Sequence, residues 1–308
     1  MKKLLKILLI ILIIILVIAL VVTGVLYWAS RQPAVKECYF DEVDTVAPLE
    51  SKYKQKGNFD VTLAQYPTQA DYKNIYVWYP SAMTTTDAKY PLVVMVNGTG
   101  VPASKYQPIF DHLASWGFIV VGNDDDSSWQ GTSTCESLDF ILNQNDDSAS
   151  IFFNKIDVHN IGIAGHSQGG VGVVNAVTDF DNSNLYKAAY IASITFHDLA
   201  VSLGWDYDMS KLNAPCFMVA GTGKADAETI SPLSEMQKNF SLLSDSNPSL
   251  IARRKDTDHG EMLANADSYM TAWFMYWLKG DQQAKSIFFG TDAEIFDNDN
   301  WQDITCNY

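Results

Sequence analysis

The pentapeptide Gly165-His166-Ser167-Gln168-Gly169 constrains this chain more than any other stretch. It fits the Gly-x-Ser-x-Gly pattern of a sharp turn that carries a nucleophilic serine from the end of a strand into the start of a helix. The flanks agree, because residues 160–164 read as a short buried strand and 170–177 as an apolar helix of small residues. A serine on such a corner points its hydroxyl out over the sheet. Glycine is needed on both sides because bulkier neighbours clash with the strand and helix.

Strand-like and helix-like patterns alternate through the rest of the chain. Strands are expected at 61–66, 74–79 and 90–96, the last a continuous apolar run. Ile109, Phe110, Leu113 and Trp116 give helical spacing over 106–116, which Gly117 ends before a strand at 118–121. A helix over 134–143 precedes the serine turn. Beyond it come strands at 188–195 and 216–220, a helix at 232–243, a short strand at 249–253 and an amphipathic helix at 269–278. Short apolar strands between helices imply an α/β fold with a mostly parallel central sheet covered by helices on both faces.

An apolar run at 7–28 follows Lys2, Lys3 and Lys6 and is long enough to span a bilayer as a helix. It ends in Leu26-Tyr27-Trp28-Ala29-Ser30 without a small-residue cleavage site, so it reads as an uncleaved signal anchor. Three lysines precede it and only Arg31 and Lys36 follow closely. The N-terminus is therefore expected in the cytoplasm, with the remaining chain extracellular on a single-pass cell-membrane protein. The expected organisation is a transmembrane segment at 1–30, a linker at 31–58 and one catalytic domain at 59–308.

The formal charge of −15 argues against a nucleic-acid partner, since phosphate binding needs clustered Lys and Arg. Asp124-Asp125-Asp126 and Asp297-Asn298-Asp299 lack the glycine and bidentate glutamate of a calcium loop, so neither metal nor cofactor is expected. Of the four cysteines, Cys216 lies in an apolar run and reads as core. An oxidising exterior permits one bridge among Cys38, Cys135 and Cys306 without saying which. Asn97-Gly98-Thr99 matches a glycosylation acceptor, but its expected burial argues against use.

A serine hydroxyl needs a base within hydrogen-bond reach and a third group to orient that base. Five histidines are available. His166 lies inside the turn itself, His112 sits in a helix, and His159 precedes its strand on the wrong side. His197 lies on the correct edge, and His259, after a late strand and before the final helix, is the better candidate. The acid is expected on the loop after 216–220, where Asp226 and Glu228 compete and either could accept the imidazole N–H. The negative charge that develops on a carbonyl oxygen needs donors. The N–H of Gln168 is one, and the N–H of Thr99, on the glycine-flanked loop after 90–96, is the other candidate. Too few residues separate 195 from 215 for a large lid, which predicts an open cleft with Phe196, His197 and Trp205 as candidate lining residues.

Over 61–280 the chain resembles the α/β-hydrolase superfamily. Within it, the likeness is to the dienelactone-hydrolase-like serine esterases, which include polyester (PET) hydrolase, cutinase-like and chlorophyllase-like groups. The carriers are Val93-Val94-Met95-Val96-Asn97-Gly98, the stretch 112–121, the serine turn, Glu228-Thr229-Ile230-Ser231-Pro232, His259, Trp273-Phe274 and Leu278-Lys279-Gly280-Asp281. The resemblance implies an α/β-hydrolase fold with Ser167 as nucleophile, His259 as base and Glu228 in the acid position, so Glu228→Gln is expected to cost more activity than Asp226→Asn. Two departures stand out: Thr99 replaces the aromatic residue that polyester hydrolases carry at the oxyanion loop, and the acid loop is longer, with Asp226 available. The implied activity is carboxylic ester hydrolysis through an acyl-enzyme, on a small-molecule, lipid or polymer ester. The same constellation also serves acyltransferases and thioesterases, and a silent, membrane-tethered binding module on this fold is a further alternative.

Overall fold

Side chains alternate across the central strands and so build two cores, one on each face of a single sheet. The computed structural model describes residues 2–30 and 32–308. Met1 and Arg31, the latter counted above as a flanking charge, lie outside the described residues, as do the side chains at 2–5, 7, 8, 26, 29 and 30, Lys2 and Lys3 among them. The strands are β1 (Val61–Pro67), β2 (Asn74–Pro80), β3 (Tyr90–Val96), β4 (Ile119–Asn123), β5 (Ile156–His166), β6 (Tyr186–Ala192), β7 (Cys216–Gly221), β8 (Ser249–Arg254) and β9 (Trp301–Cys306). They form one nine-stranded sheet in the order β1-β2-β4-β3-β5-β6-β7-β8-β9. In β3, Val93 and Met95 enter one core while Leu92, Val94 and Val96 enter the other; Tyr190 and Ile191 of β6 divide in the same way. Burial on both faces explains why these strands read as unbroken apolar runs.

Helices cover both faces. On one, α3 (Gln107–Ser115) and α8 (Asp267–Lys279) contribute Phe110, Leu113, Trp273 and Phe274. On the other, α4 (Thr132–Asp146), α5 (Gln168–Thr178) and α7 (Leu233–Leu242) contribute Leu138, Ile141, Val171, Val174 and Met236. Trp273, fully buried, places its indole N–H 3.0 Å from the carbonyl oxygen of Ala189, which satisfies the one polar atom that its burial would orphan.

The pairings β4-β3-β5-β6-β7-β8 are all parallel, whereas β1, β2 and β9 add antiparallel edges. The carboxyl ends of the parallel strands therefore share one edge. The chain leaves β3 towards β4 on one side and returns to β5 on the other, and the crevice outside such a switch point is where ligands bind in open α/β sheets. The loop after β3 and the serine turn after β5 meet there. Two details differ from the sequence reading. The strand expected at 188–195 stops at Ala192, where Ser193 turns the chain with φ +47°, and β9 was not anticipated.

The chain divides into two compact units, Met1–Ala34 and Val35–Tyr308. In the first, α1 (Lys2–Ser30) is a continuous helix, and its described large apolar side chains are exposed. Those side chains run without a break only over 9–25, and among the described residues no helix is long and apolar enough to cross a membrane. In the second, residues expected as linker from 35 onward carry the buried side chains Tyr39, Val43 and Tyr53. All four cysteines are free thiols, so the bridge permitted among Cys38, Cys135 and Cys306 is not formed.

Glu50, on α2 (Pro48–Lys54), is fully buried. Its carboxylate accepts from the indole of Trp301 and the amide of Asn298, both at 3.0 Å, and lies 3.6 Å from the guanidinium of buried Arg254. This group ties the segment before the first strand to the far edge of the sheet. Glu50→Ala takes from buried Arg254 its leading counter-charge, and the expected loss is about 3–5 kcal/mol of unfolding free energy, read as a lower urea midpoint at unchanged slope.

Candidate active site

The backbone at Ser167 has φ 60° and ψ −124°, a conformation L-residues rarely adopt, and it makes the corner between β5 and α5. The corner is tight enough to exclude any β-carbon beside it. One built on Gly165 would lie 2.3 Å from the carbonyl oxygen of Gly169, and one on Gly169 would lie 2.3 Å from that of Val96. The Ser167 N–H donates to the Ala192 carbonyl of the adjacent strand at 2.9 Å, which fixes the corner to β6.

His259 reaches the same edge from the loop after β8. Its Nε2 lies 2.9 Å from Ser167 Oγ, and its Nδ1 lies 2.7 Å from Asp226 Oδ1. The tautomer follows from chemistry: a carboxylate only accepts, so Nδ1 carries the proton and Nε2 is left to accept from the serine hydroxyl. Asp226 is fully buried and its other oxygen is also engaged, with the Gly221 N–H at 2.7 Å and the Ser193 hydroxyl at 2.5 Å donating to Oδ2. Both carboxylate oxygens are thus satisfied in a place water does not reach.

Glu228 does not occupy the acid position that the resemblance implied. A π-helical turn spans Asp226–Ile230, closed by the Ser231 N–H on the Asp226 carbonyl at 3.0 Å. Its first residue points inwards, and Glu228, two positions on, is exposed to solvent. The carboxylate that the structure brings to the imidazole is that of Asp226, not Glu228.

The loop after β3 lies against Ser167: a β-carbon on Gly98 would sit 3.6 Å from its Cβ. Asn97 pins that loop. Its amide donates to the Asn123 and Asp125 carbonyls and the Asn123 side chain, and its oxygen accepts from Tyr106. The Asn97 amide is buried, with no access for a glycan. Gly100 N–H donates to Asp126 and Val101 N–H to Gly98, which leaves Thr99 exposed at the tip. Among the described residues no protein acceptor meets the backbone N–H of Thr99 or of Gln168, the first residue of α5. Two donors near the serine, one of them at the positive end of a helix, suit a developing oxyanion.

The expected lining residues are more peripheral. Phe196 is half-buried and its N–H donates to the Ile230 carbonyl, so it runs beside the acid turn. His197, at the start of α6 (His197–Ser202), lies 3.4 Å from both Asp198 and Asp206 and edge-on to Tyr207, while half-buried Trp205 packs on the core. Among the described residues none of the three makes a hydrogen bond or ring contact with Ser167, His259 or Asp226. Of the remaining histidines, His112 is buried beside Asp267 at 2.6 Å and His159 is exposed. No cluster of metal-ligating side chains occurs among the described residues. Asp124 accepts from Asn74, Tyr76 and Ser104, and Asp125 from Ser133 and the Ser127 N–H.

Three site residues escaped the sequence reading. Ser193, buried at a strand end, carries no sequence signature. Asp258 caps the turn that bears His259, accepting from the His259 N–H at 2.8 Å, and also accepts from the Ala225 N–H of the loop after β7 at 2.9 Å. Those backbone bonds, the one from His259 foremost, hold its carboxyl below the usual range. The signal was available, since Asp258-His259-Gly260-Glu261 is a capping box. His166 is the third: its Nε2 lies 2.8 Å from the His259 carbonyl oxygen.

A mostly parallel sheet with a serine corner at its carboxyl edge and a His-Asp pair over that serine defines an α/β-hydrolase. The chain belongs to the PET hydrolase-like family, whose model matches residues 44–306. That family falls in the dienelactone hydrolase-like group of α/β-hydrolases, and membership implies a serine ester hydrolase. No curated protein matches the chain.

Burial, followed by the neighbouring charge of His259, pushes the His166 pKa down from 6.5 to about 4. An unfolded chain takes up a proton near pH 6.5 that the native ring refuses until about pH 4, so His166 removes stability as pH falls through that window and has no effect above it. Between about pH 7.5 and about pH 4.5, His166→Gln is expected to lose less stability than the parent protein, by an amount on the order of 2 kcal/mol, in paired urea titrations.

Proposed function

We propose that this protein is a serine carboxylic ester hydrolase working through an acyl-enzyme. The observation that carries the reading is the unbroken hydrogen-bond chain from Asp226 through His259 to Ser167, at 2.7 and 2.9 Å. His259 Nε2 takes the serine proton as Oγ attacks the ester carbonyl, and Asp226 stabilises the imidazolium that forms while keeping its ring in the productive tautomer. The N–H groups of Thr99 and Gln168 hold the oxyanion of the tetrahedral intermediate. Its collapse, with His259 protonating the leaving alcohol, gives the acyl-enzyme, and a water deprotonated by the same histidine releases the acid.

The substrate is an ester, small or polymeric, that reaches Ser167 in an open cleft, with Phe196, His197 and Trp205 at its periphery. No lid is required, because the segment between β6 and β7 carries only α6 and one further short turn. The polyester in the family's name is a narrower assignment, and Thr99 in place of an aromatic residue favours esters that do not depend on ring stacking at that loop.

A fluorophosphonate probe is expected to label the protein and to leave Ser167→Ala unlabelled; equal labelling of the variant contradicts the mechanism. Asp226→Asn is expected to lower kcat by about a thousandfold to ten-thousandfold, because the ring is left in the wrong tautomer, whereas Glu228→Gln stays within about twofold of the parent. The reverse ranking returns the acid to Glu228.

The same reading includes a tether. The apolar run at 7–28 with Lys2, Lys3 and Lys6 before it supports a membrane helix whose N-terminus is cytoplasmic and whose catalytic unit is extracellular. Full-length protein is then expected in the membrane fraction with the catalytic unit open to external protease on intact cells, and deletion of 1–34 to move it to the soluble fraction. Soluble full-length protein contradicts the tether.

A further inference from the structure

We infer that His166 is the positioning residue for the catalytic base: a neutral imidazole that donates from Nε2 to the backbone carbonyl of His259 and so clamps the base-bearing turn to the nucleophile's own corner. The inference rests on the proposed roles of Ser167 and His259 and adds a third participant to them.

Three observations support the clamp. The first is the bond itself, 2.8 Å from His166 Nε2 to the His259 carbonyl oxygen. A carbonyl only accepts, so Nε2 carries the proton and, in the neutral ring, Nδ1 is bare. The second is how His259 is held. Its N–H donates to Asp258 at 2.8 Å, its carbonyl accepts from His166, and its ring is fixed by Asp226 at Nδ1, so the residue is gripped at three points. Of those grips only His166 is covalently adjacent to Ser167. It converts the distance between nucleophile and base into a local quantity, set by one peptide unit and one hydrogen bond instead of by the packing of distant loops.

The third observation is charge. The two imidazole rings lie tilted at 39° with centroids 4.5 Å apart. A positive charge on His166 would oppose the imidazolium that His259 must become during each acyl transfer, whereas a neutral ring beside it does not. The surroundings keep it neutral: the ring's pKa is driven down by burial, and bare Nδ1 faces the glycine loop, 3.7 Å from where a β-carbon on Gly98 would stand. A histidine at this position therefore supplies a donor without supplying a competing base.

The test compares His166→Gln, whose amide can donate to the same carbonyl, with His166→Phe, which keeps a flat ring and loses the donor. Both are made in the full chain, alongside Ser167→Ala. With a soluble p-nitrophenyl ester, His166→Phe is expected to lower kcat by about tenfold to a hundredfold at near-parental KM, the scale of a misplaced catalytic group, and His166→Gln to recover most of that loss. Heteronuclear NMR of the imidazole nitrogens in the parent protein is expected to find His166 as the Nε2–H tautomer, a readout that holds even if His166→Phe does not fold. An Nδ1–H tautomer at His166 overturns the proposal, as does unchanged kcat in His166→Phe, a change in KM alone, or no recovery in His166→Gln. If Ser167→Ala retains esterase activity, the reading of the site itself fails; if it is inert while His166→Phe behaves as the parent, only the clamp fails.

Discussion

Ser167 holds a strained backbone conformation, and everything at the carboxyl edge of the sheet is arranged around keeping it there. Strain of this kind costs on the order of 1–3 kcal/mol and persists only where the surroundings over-determine it. Here they do so from three sides. Gly165 and Gly169 let β5, the corner and α5 approach to distances no β-carbon allows, the Ser167 N–H is anchored on Ala192 of β6, and α5 is packed into the core through Val171 and Val174. The hydroxyl stands clear of the sheet as a consequence, at the point where the loops after β3, β7 and β8 can all reach it.

Those loops carry the remaining groups, and polar contacts stitch them together. Half-buried Asp258 joins the turn bearing His259 to the loop after β7, buried Asn97 fixes the loop after β3 to the end of β4, and buried Asp226 sits where three donors from three different segments converge. A buried carboxylate is costly unless fully satisfied, and its low-dielectric setting makes each of its bonds count for more. The same setting gives Asp226 its hold on the imidazole. An exposed carboxylate at Glu228 would share its attraction with water and gain little by comparison.

Much of this was legible in the chain. The serine corner could be read because its constraint is local and steric. The buried strands could be read because parallel strands covered on both faces leave continuous apolar runs, and His259 because chain order and topology bring few histidines to the right edge. Apart from Asp258, whose capping box stands in the sequence, what was missed depends on geometry that sequence does not express. Asp226 and Glu228 are both carboxylates on one short loop, and only the π-helical turn decides which faces inward. Ser193 gives no sign of being a donor until β6 ends at Ala192 and positive φ swings it under the acid. The segment from 35 onward looked like linker because its apolar residues are sparse, yet Tyr39 and Tyr53 are buried in the body and Glu50 closes a polar cluster with Asn298, Arg254 and Trp301. β9 was hidden by its polar residues, which an edge strand tolerates.

In the mechanism proposed, the side chain at 167 is acylated while the imidazole at 259, steered by Asp226, moves the protons. A crystal structure of the protein after reaction with a phosphonate ester tests it most directly. The expected structure has phosphorus bonded to Ser167 Oγ, the phosphoryl oxygen between the N–H groups of Thr99 and Gln168, and His259 still bridging to Asp226. Phosphorus on any other residue, or His259 turned away from Asp226 towards Glu228, contradicts it.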